Sequence, residues 1–324
     1  MIREVAENIY TFPINLPHNP LKVLNSYVIK GIDGGKNLLI DVGFNNPRCR
    51  ADLKKGMAAF GLTPENTDVF LTHGHADHTG NASWLAEQGF ELMIGAIDHK
   101  HIFRATDTAH LERMEREGVP ADVTDGMRYR SKAQWQVSDD FTARDLEDGD
   151  MLSYGGYKLR CVMTPGHSLG HMCLYDADKQ LMFTGDHVLF DITPNINVAP
   201  EGLDSLGSYM QSLEKVADIP VKIALPGHRQ IGGDFAARVH ALYQHHLDRL
   251  SEAEDIVRAH PGISAYGTAQ HMTWSIVAKS WDDFPLDQKW YAYGEALSHL
   301  VYLEKLGRVR RVFHGSGTAE YYAL

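Results

Sequence analysis

The sequence predicts a layered α/β fold followed by a helical C-terminal domain, and three observations carry that expectation. Short apolar segments rich in β-branched residues alternate with segments of helical spacing. The β-rich pattern occurs twice, each time with a helix, on either side of a polar stretch at 97–140. From about residue 234 the strands give way to long helical segments.

The elements follow in order. Strands are expected at 9–15, 25–31 and 37–43, each ending at Gly or Asn. Residues 47–62 have helical spacing and stop at a glycine. Residues 68–73 form a short strand buried on both faces. It runs into "THGHADHTG" (72–80), and a helix at 80–89 and a strand at 90–96 follow. The 97–140 stretch is polar and mostly helical; it reads as a lid over a site, with a solvated surface insertion as the alternative. Strands resume at 157–166, 171–178 and 180–186, then a helix at 202–218 and a strand at 221–227. One long helix (235–260) ends at His-Pro-Gly. Helices at 264–280 and 288–307 and two strands within 308–324 complete the chain, and three helices with a hairpin are the pattern of a winged-helix domain. The domains are therefore expected at 1–235 and 236–324.

Composition narrows the function. The net charge of −11 gives no general attraction to phosphate backbones, so nucleic acid would need a local basic patch. Three cysteines (Cys49, Cys161, Cys173) are far apart, and no CxxC pair suggests a thiolate metal site or a disulfide framework. The first residues lack a basic region followed by an apolar run, and no apolar stretch approaches membrane-spanning length. A cytoplasmic, reducing setting is the expectation. Histidine is the unusual count, at 18 residues.

Those histidines cluster in chemical contexts. His73, His75, Asp77 and His78 form H-x-H-x-D-H at a strand end. A spacing of two on extended chain points His73 and His75 the same way, and the turn into a helix presents Asp77 and His78 from another direction. One turn can thus serve two adjacent sites, with distant residues completing them. His167 in "TPGHSLGH", Asp186 in "FTGDH" and His228 in "LPGHRQ" each follow an apolar strand beside a glycine. Mixed imidazole and carboxylate ligands suit zinc, iron or manganese. A solvated histidine explains any one of these positions, but not seven ligand types in four matching contexts.

With these residues, the chain resembles the metallo-β-lactamase superfamily over roughly 9–235. The resemblance implies a four-layer αββα sandwich with the site at one edge. It implies that His73, His75 and His167 bind a first divalent ion, that Asp77, His78 and His228 bind a second, and that Asp186 bridges them. Zinc is the expected metal, with Mn2+ or Fe2+ as alternatives. Position 75 is not the glutamate of the family's oxygen-reducing di-iron members. No cysteine stands in place of Asp186, which argues against a dedicated β-lactamase. Two ions lower the pKa of a shared water, and either Asp77 or Asp186 orients it or shuttles its proton. Asp41 in "LLIDVG" matches the family's first acidic motif; it holds the 72–78 turn or merely caps its strand. His171 is expected in a supporting role and His187 facing the substrate. His99, His101, His110, His245 and His246 are expected to be solvated.

The segments "HMTWSI", "WDDFPLDQKWYAYGEALSHLVYLEKLG", "RVRR" and "DITPNI" resemble the winged-helix subgroup of hydroxyacylglutathione-hydrolase-like proteins and β-lactamase-like protein 2. The expected function is hydrolysis of an ester, thioester or lactone carbonyl of a small acyl substrate, the C-terminal domain closing the pocket or forming a homodimer. The alternative is a single-strand endoribonuclease whose winged helix contacts RNA through Arg308, Arg310 and Arg311, although in an acidic chain a solvated hairpin is the favoured reading of those arginines. A metal-binding regulatory protein without catalysis is the third reading. The aromatic residues of 274–293 fall at helical spacing and read as core.

Overall fold

Alternation along the strands sorts the apolar residues into two cores, and that sorting builds the sandwich. The computed structural model describes residues 1–101, 108–128, 138–196, 200–275, 278, 280–315 and 317–324. Seven strands form the first sheet in sequence order: β1 Arg3–Ala6, β2 Ile9–Asn15, β3 Val23–Ile29, β4 Asn37–Ile40, β5 Thr67–Leu71, β6 Glu91–Gly95 and β7 Arg144–Leu146. Pairing is antiparallel up to β4 and parallel from β4 to β7. The second sheet has the order β12-β11-β10-β9-β8, built from β8 Met151–Tyr154, β9 Tyr157–Met163, β10 Met172–Asp176, β11 Leu181–Gly185 and β12 Ile223–Pro226.

Leu38, Ile40, Phe70 and Met93 face the second sheet, where they meet Leu159, Leu174, Phe183 and Leu225. Their neighbours Leu39, Val69, Leu71, Leu92 and Ile94 face the other way, onto helices α1 (Pro47–Phe60) and α3 (Ala82–Glu87). A period of two therefore splits each strand between the cores. The outer face of the second sheet is buried as well, at Cys173, Met182 and Ala224. The α1 boundaries follow local chemistry: Asn46 caps the Arg48 N–H, Pro47 occupies the first turn, and Gly61 closes the helix at φ 62°.

Among the described residues the remaining α-helices are α2 Ala76–Thr79, α4 Ala96–His101, α5 Thr108–Arg116, α6 Ala121–Arg128, α7 Ser205–Ala217, α8 Phe235–Ala259, α9 Ala265–His271 and α10 Leu286–Lys305, with a hairpin of β13 Val309–Phe313 and β14 Ala319–Ala323. The chain divides into two compact units. One holds residues 1–103, 131–194 and 214–239; the other holds 104–130, 195–213 and 240–324. The division near residue 235 thus falls inside α8, and most of the polar insertion groups with the C-terminal residues. Glu117 shows why. It is fully buried, 2.5 Å from the Arg311 guanidinium, and it accepts a hydrogen bond from Tyr321 at 2.9 Å.

Other expectations change. Strands β1, β7 and β8 have no counterpart in the sequence reading. The helix expected at 264–280 ends at His271, because the next backbone groups find side-chain partners on α8: Thr273 N–H donates to Glu252, and its carbonyl accepts from Arg249. Tyr293 is core as expected, whereas Tyr291 is exposed. His246 is not solvated. It is fully buried with His299, whose Nδ1 donates to the Glu295 carbonyl at 2.7 Å, so His246 Nδ1 donates to His299 Nε2 at 3.3 Å. His99 is partly buried, bonded to Asp145 and stacked on Phe141. The His110 side chain lies outside the described residues.

The loop after β4 straps the first helical turns after β5. Asn81 donates to the carbonyls of Val42 and Phe44, both at 2.8 Å, and Val42 N–H donates to His78 O at 2.9 Å. A Cβ at Gly80 would lie 2.1 Å from Asn45 N and 2.4 Å from Phe44 C, and backbone cannot yield as a flexible side chain can. Gly80→Ala is expected to destabilise the protein by about 1–3 kcal/mol, read as a lower denaturant midpoint at unchanged m-value. Burial, above all, holds the His299 imidazole to about 3, with Arg249 and His245 adding to the effect. The unfolded chain therefore takes up a proton near pH 6.5 that the folded chain refuses. The stability advantage of wild type over His299→Gln should be complete above pH 6.5 and shrink by up to about 1.4 kcal/mol per pH unit towards pH 4, measured as the difference in unfolding free energy.

Candidate metal centre

Chain segments leaving four strands converge at one edge of the sandwich. His73 and His75 follow β5, His167 follows β9, Asp186 follows β11 directly, and His228 follows β12. Backbone bonds lock the segments together: Met172 N–H to Thr72 O (2.9 Å), Gly227 N–H to Gly185 O (2.8 Å) and Asn25 N–H to Gly227 O (2.7 Å). Asp77 and His78 ride on the single turn of α2.

The structure brings all seven expected ligands together. Three sets have ligand atoms within 4.8 Å of one another: His73, His75 and His167; His73, His78 and Asp186; Asp77, His78 and His228. Within them, His73 Nε2 is 2.9 Å from His75 Nδ1, and His78 Nε2 is 3.2 Å from His228 Nε2. Asp186 Oδ2 stands between the first and last sets, 3.6 Å from His167 Nε2, 3.4 Å from His228 Nε2 and 3.7 Å from His78 Nε2. Asp77 Oδ2 is 3.3 Å from His228 Nε2. His75 is the exposed member.

Tautomers decide what such contacts mean. The Val23 carbonyl, 2.9 Å from His228 Nδ1, has no proton to give, so that nitrogen carries one. Asp41 takes the Nδ1 proton of His78 at 2.7 Å. In their neutral forms both rings then turn Nε2 lone pairs on each other, an arrangement that a cation relieves. The surrounding charges point the same way. Burial alone would lower His78, but Asp41, Asp186 and Asp77 raise it well above its ordinary value. Burial would raise Asp186, yet His228, His78 and His167 hold it well below the carboxylate range. Asp77 is likewise held at about 2, against burial, by His78 and His228.

Two further features fit cations. Asp186 Oδ1 is buried without a hydrogen-bond partner among the described residues. Gly227 leaves that oxygen room, since a Cβ there would come within 2.6 Å of it and 2.9 Å of His78 Cε1. Imidazole and carboxylate donors of this kind match divalent ions of the zinc type.

Supporting residues hold the ligands. Asp41 is buried in a left-handed conformation (φ 58°) and accepts from Thr72 N–H and Thr72 Oγ1, both at 2.9 Å, as well as from His78. His171 Nε2 accepts from Asp186 N–H at 3.1 Å, so its Nδ1 donates to Thr164 Oγ1 at 2.8 Å. His187 is fully buried, its ring 6.1 Å from that of His171, rather than presented to an open face. Asp98 had no place in the sequence reading. It lies in α4, 3% exposed, and accepts from Gly74 N–H (2.7 Å), Ser168 Oγ (2.6 Å) and Gly170 N–H (2.5 Å). Its available signal was its position three residues beyond Gly95, at a strand end like those of Asp41 and Asp186.

Residues 21–228 match the pattern of the Metallo-beta-lactamase superfamily. The "Atrochrysone carboxyl ACP thioesterase" of Aspergillus fumigatus is 29% identical over 234 residues, 72% of this chain and 58% of that protein. The "Beta-lactamase-like protein 2 homolog" of Caenorhabditis elegans is 24% identical over 255 residues, 77% of this chain and 72% of its own. The aligned chain thus spans little more than half the length of the fungal relative. The crystal structure of a beta-lactamase domain protein from Burkholderia ambifaria superposes with a TM-score of 0.85, covering 100% of this chain and 93% of that one at 24% identity, which shows a shared fold. The chain belongs to the Metallo-beta-lactamase superfamily and carries the α/β sandwich fold of that enzyme superfamily.

Proposed function

We propose that this protein is a metal-dependent hydrolase of acyl substrates, acting on an ester, thioester or lactone carbonyl. The observation that carries the reading is the pair of ligand sets with the Asp186 carboxylate between them. His73, His75 and His167 would hold one ion and Asp77, His78 and His228 the other, with zinc as the metal. Bound there, the two ions would supply Lewis-acid polarisation and a water of lowered pKa. The chain's own part is to keep two carboxylates ionised beside that water. Asp77, drawn down to about 2, and Asp186, held lower still by its histidine neighbours, would orient that water as ionised acceptors. The relative named as a thioesterase supports an acyl substrate. We read the three C-terminal helices and hairpin as a winged-helix-like unit, and the three buried free thiols as fitting a cytoplasmic setting.

The ribonuclease reading finds little in the hairpin. Arg311 is partly buried and paired with Glu117 and Glu201, Arg308 pairs with Glu254, and Arg310 lies 5.1 Å over the Tyr322 ring. Acidic partners have already claimed the charge of Arg308 and Arg311 that RNA phosphates would need.

Protein grown with zinc is expected to hold two equivalents per chain by elemental analysis, and His75→Ala about one fewer. Because His75 is exposed, its loss should leave the unfolding midpoint of the chelated protein unchanged. Against a panel of thioester, lactone and single-stranded RNA, wild type should turn over an acyl substrate, and His75→Ala should lose at least about a hundredfold in kcat/KM. RNA cleavage without acyl turnover would overturn the proposal.

A further inference from the structure

The structure assigns Asp98 as the positioning residue of the three-histidine set, a carboxylate that fixes the span between His73, His75 and His167. This rests on the metal reading above. Asp98 sits in the first turn of α4, beside neither loop in sequence, yet it accepts one hydrogen bond from the first loop and two from the second. Gly74 N–H, between His73 and His75, reaches Oδ2 at 2.7 Å. Ser168 Oγ, directly after His167, reaches the same oxygen at 2.6 Å, and Gly170 N–H reaches Oδ1 at 2.5 Å. These contacts to one carboxylate couple two loops whose donors lie 94 to 96 residues apart.

Close backbone approach enforces the contact. A Cβ at Gly170 would lie 2.4 Å from Asp98 N, and a Cβ at Gly95 would lie 2.5 Å from Gly170 O. The 167–170 loop therefore presses on the start of α4 as only glycine permits. Among the described residues Asp98 makes no hydrogen bond to Asp77, His78 or His228. His78 is held by a second acid, Asp41, and His228 by the Val23 carbonyl. A carboxylate suits the task because it only accepts, and all three partners only donate or can donate. Asn in its place would turn one NH2 toward a donor.

The test is a stepwise Co2+ titration of the full chain, followed by d–d absorption and chelator competition. His75→Ala identifies the step that belongs to the three-histidine set. In Asp98→Asn that step should weaken by about 10–100-fold with an altered absorption envelope, while the other step keeps its affinity. Ser168→Ala, which removes one donor and leaves the carboxylate, should weaken the same step by a smaller factor; it serves if Asp98→Asn fails to fold. Two wild-type steps that remain unchanged in both variants would overturn the role of Asp98 alone, as would equal weakening of both steps. A wild-type protein that takes up no Co2+ would overturn the metal reading and this assignment with it.

Discussion

Two imidazole nitrogens held 3.2 Å apart, His78 Nε2 and His228 Nε2, are the constraint around which this edge of the sandwich is arranged. Neither ring is free to turn away. Each is pinned from behind, one by the Asp41 carboxylate and one by the Val23 carbonyl, and each pin fixes the tautomer that sends a lone pair forward. The pins are distant from the rings in sequence and close in space because the two sheets stack with β4, β5 and β12 ending at the same edge. Stacking is in turn a consequence of the two-residue period that sends Leu38, Ile40 and Phe70 inward.

Holding such groups together requires backbone conformations that ordinary residues resist. Asp41 adopts φ 58°, a region where aspartate is less strained than most, and it is over-determined there by three donors to its side chain, Thr72 N–H, Thr72 Oγ1 and His78 Nδ1. Glycine solves the rest. Gly185 turns at φ 47° directly before Asp186, where a Cβ would press within 2.6 Å of His171 Nε2. Gly227 opens the floor beside Asp186 Oδ1.

These same glycines made much of the centre legible in the sequence. His73, His167, Asp186 and His228 each stand at the end of an apolar run beside a glycine, so their convergence followed from the assumption that strand ends share an edge. The layered α/β character was legible for a similar reason, since strand–helix alternation is local, while the four-layer sandwich came from the family resemblance. What escaped notice is non-local. Asp98 sits in a short helix, and its partners are 24, 70 and 72 residues away. His246 lies in "HHLDRL", which reads as a polar helix face until His299, 53 residues later, supplies its partner. Arg311 of the hairpin read as solvated because Glu117 and Glu201 are far from it in the chain. Buried polar groups are satisfied by whatever the fold brings near, and a single sequence does not display those pairings.

Protons alone cannot satisfy the centre, and this separates a metal site from a merely polar core. One proton shared between His78 and His228 relieves their facing lone pairs but leaves Asp186 Oδ1 buried without a hydrogen-bond partner among the described residues. Further protons on His73 and His75 meet the burial and neighbouring positive charge that hold His73 well below its ordinary value. A divalent ion among His73, His75 and His167, and another among Asp77, His78 and His228, would answer each difficulty at once. Lone pairs would meet a cation, the ionised carboxylates would gain a counter-charge, and the second Asp186 oxygen would gain a partner. The two sets flank one carboxylate, so filling either alone would leave the other's nitrogens facing each other. The crowding of "THGHADHTG" would then follow from one turn serving both ions, with α2 supplying the change of direction that separates His73 and His75 from Asp77 and His78.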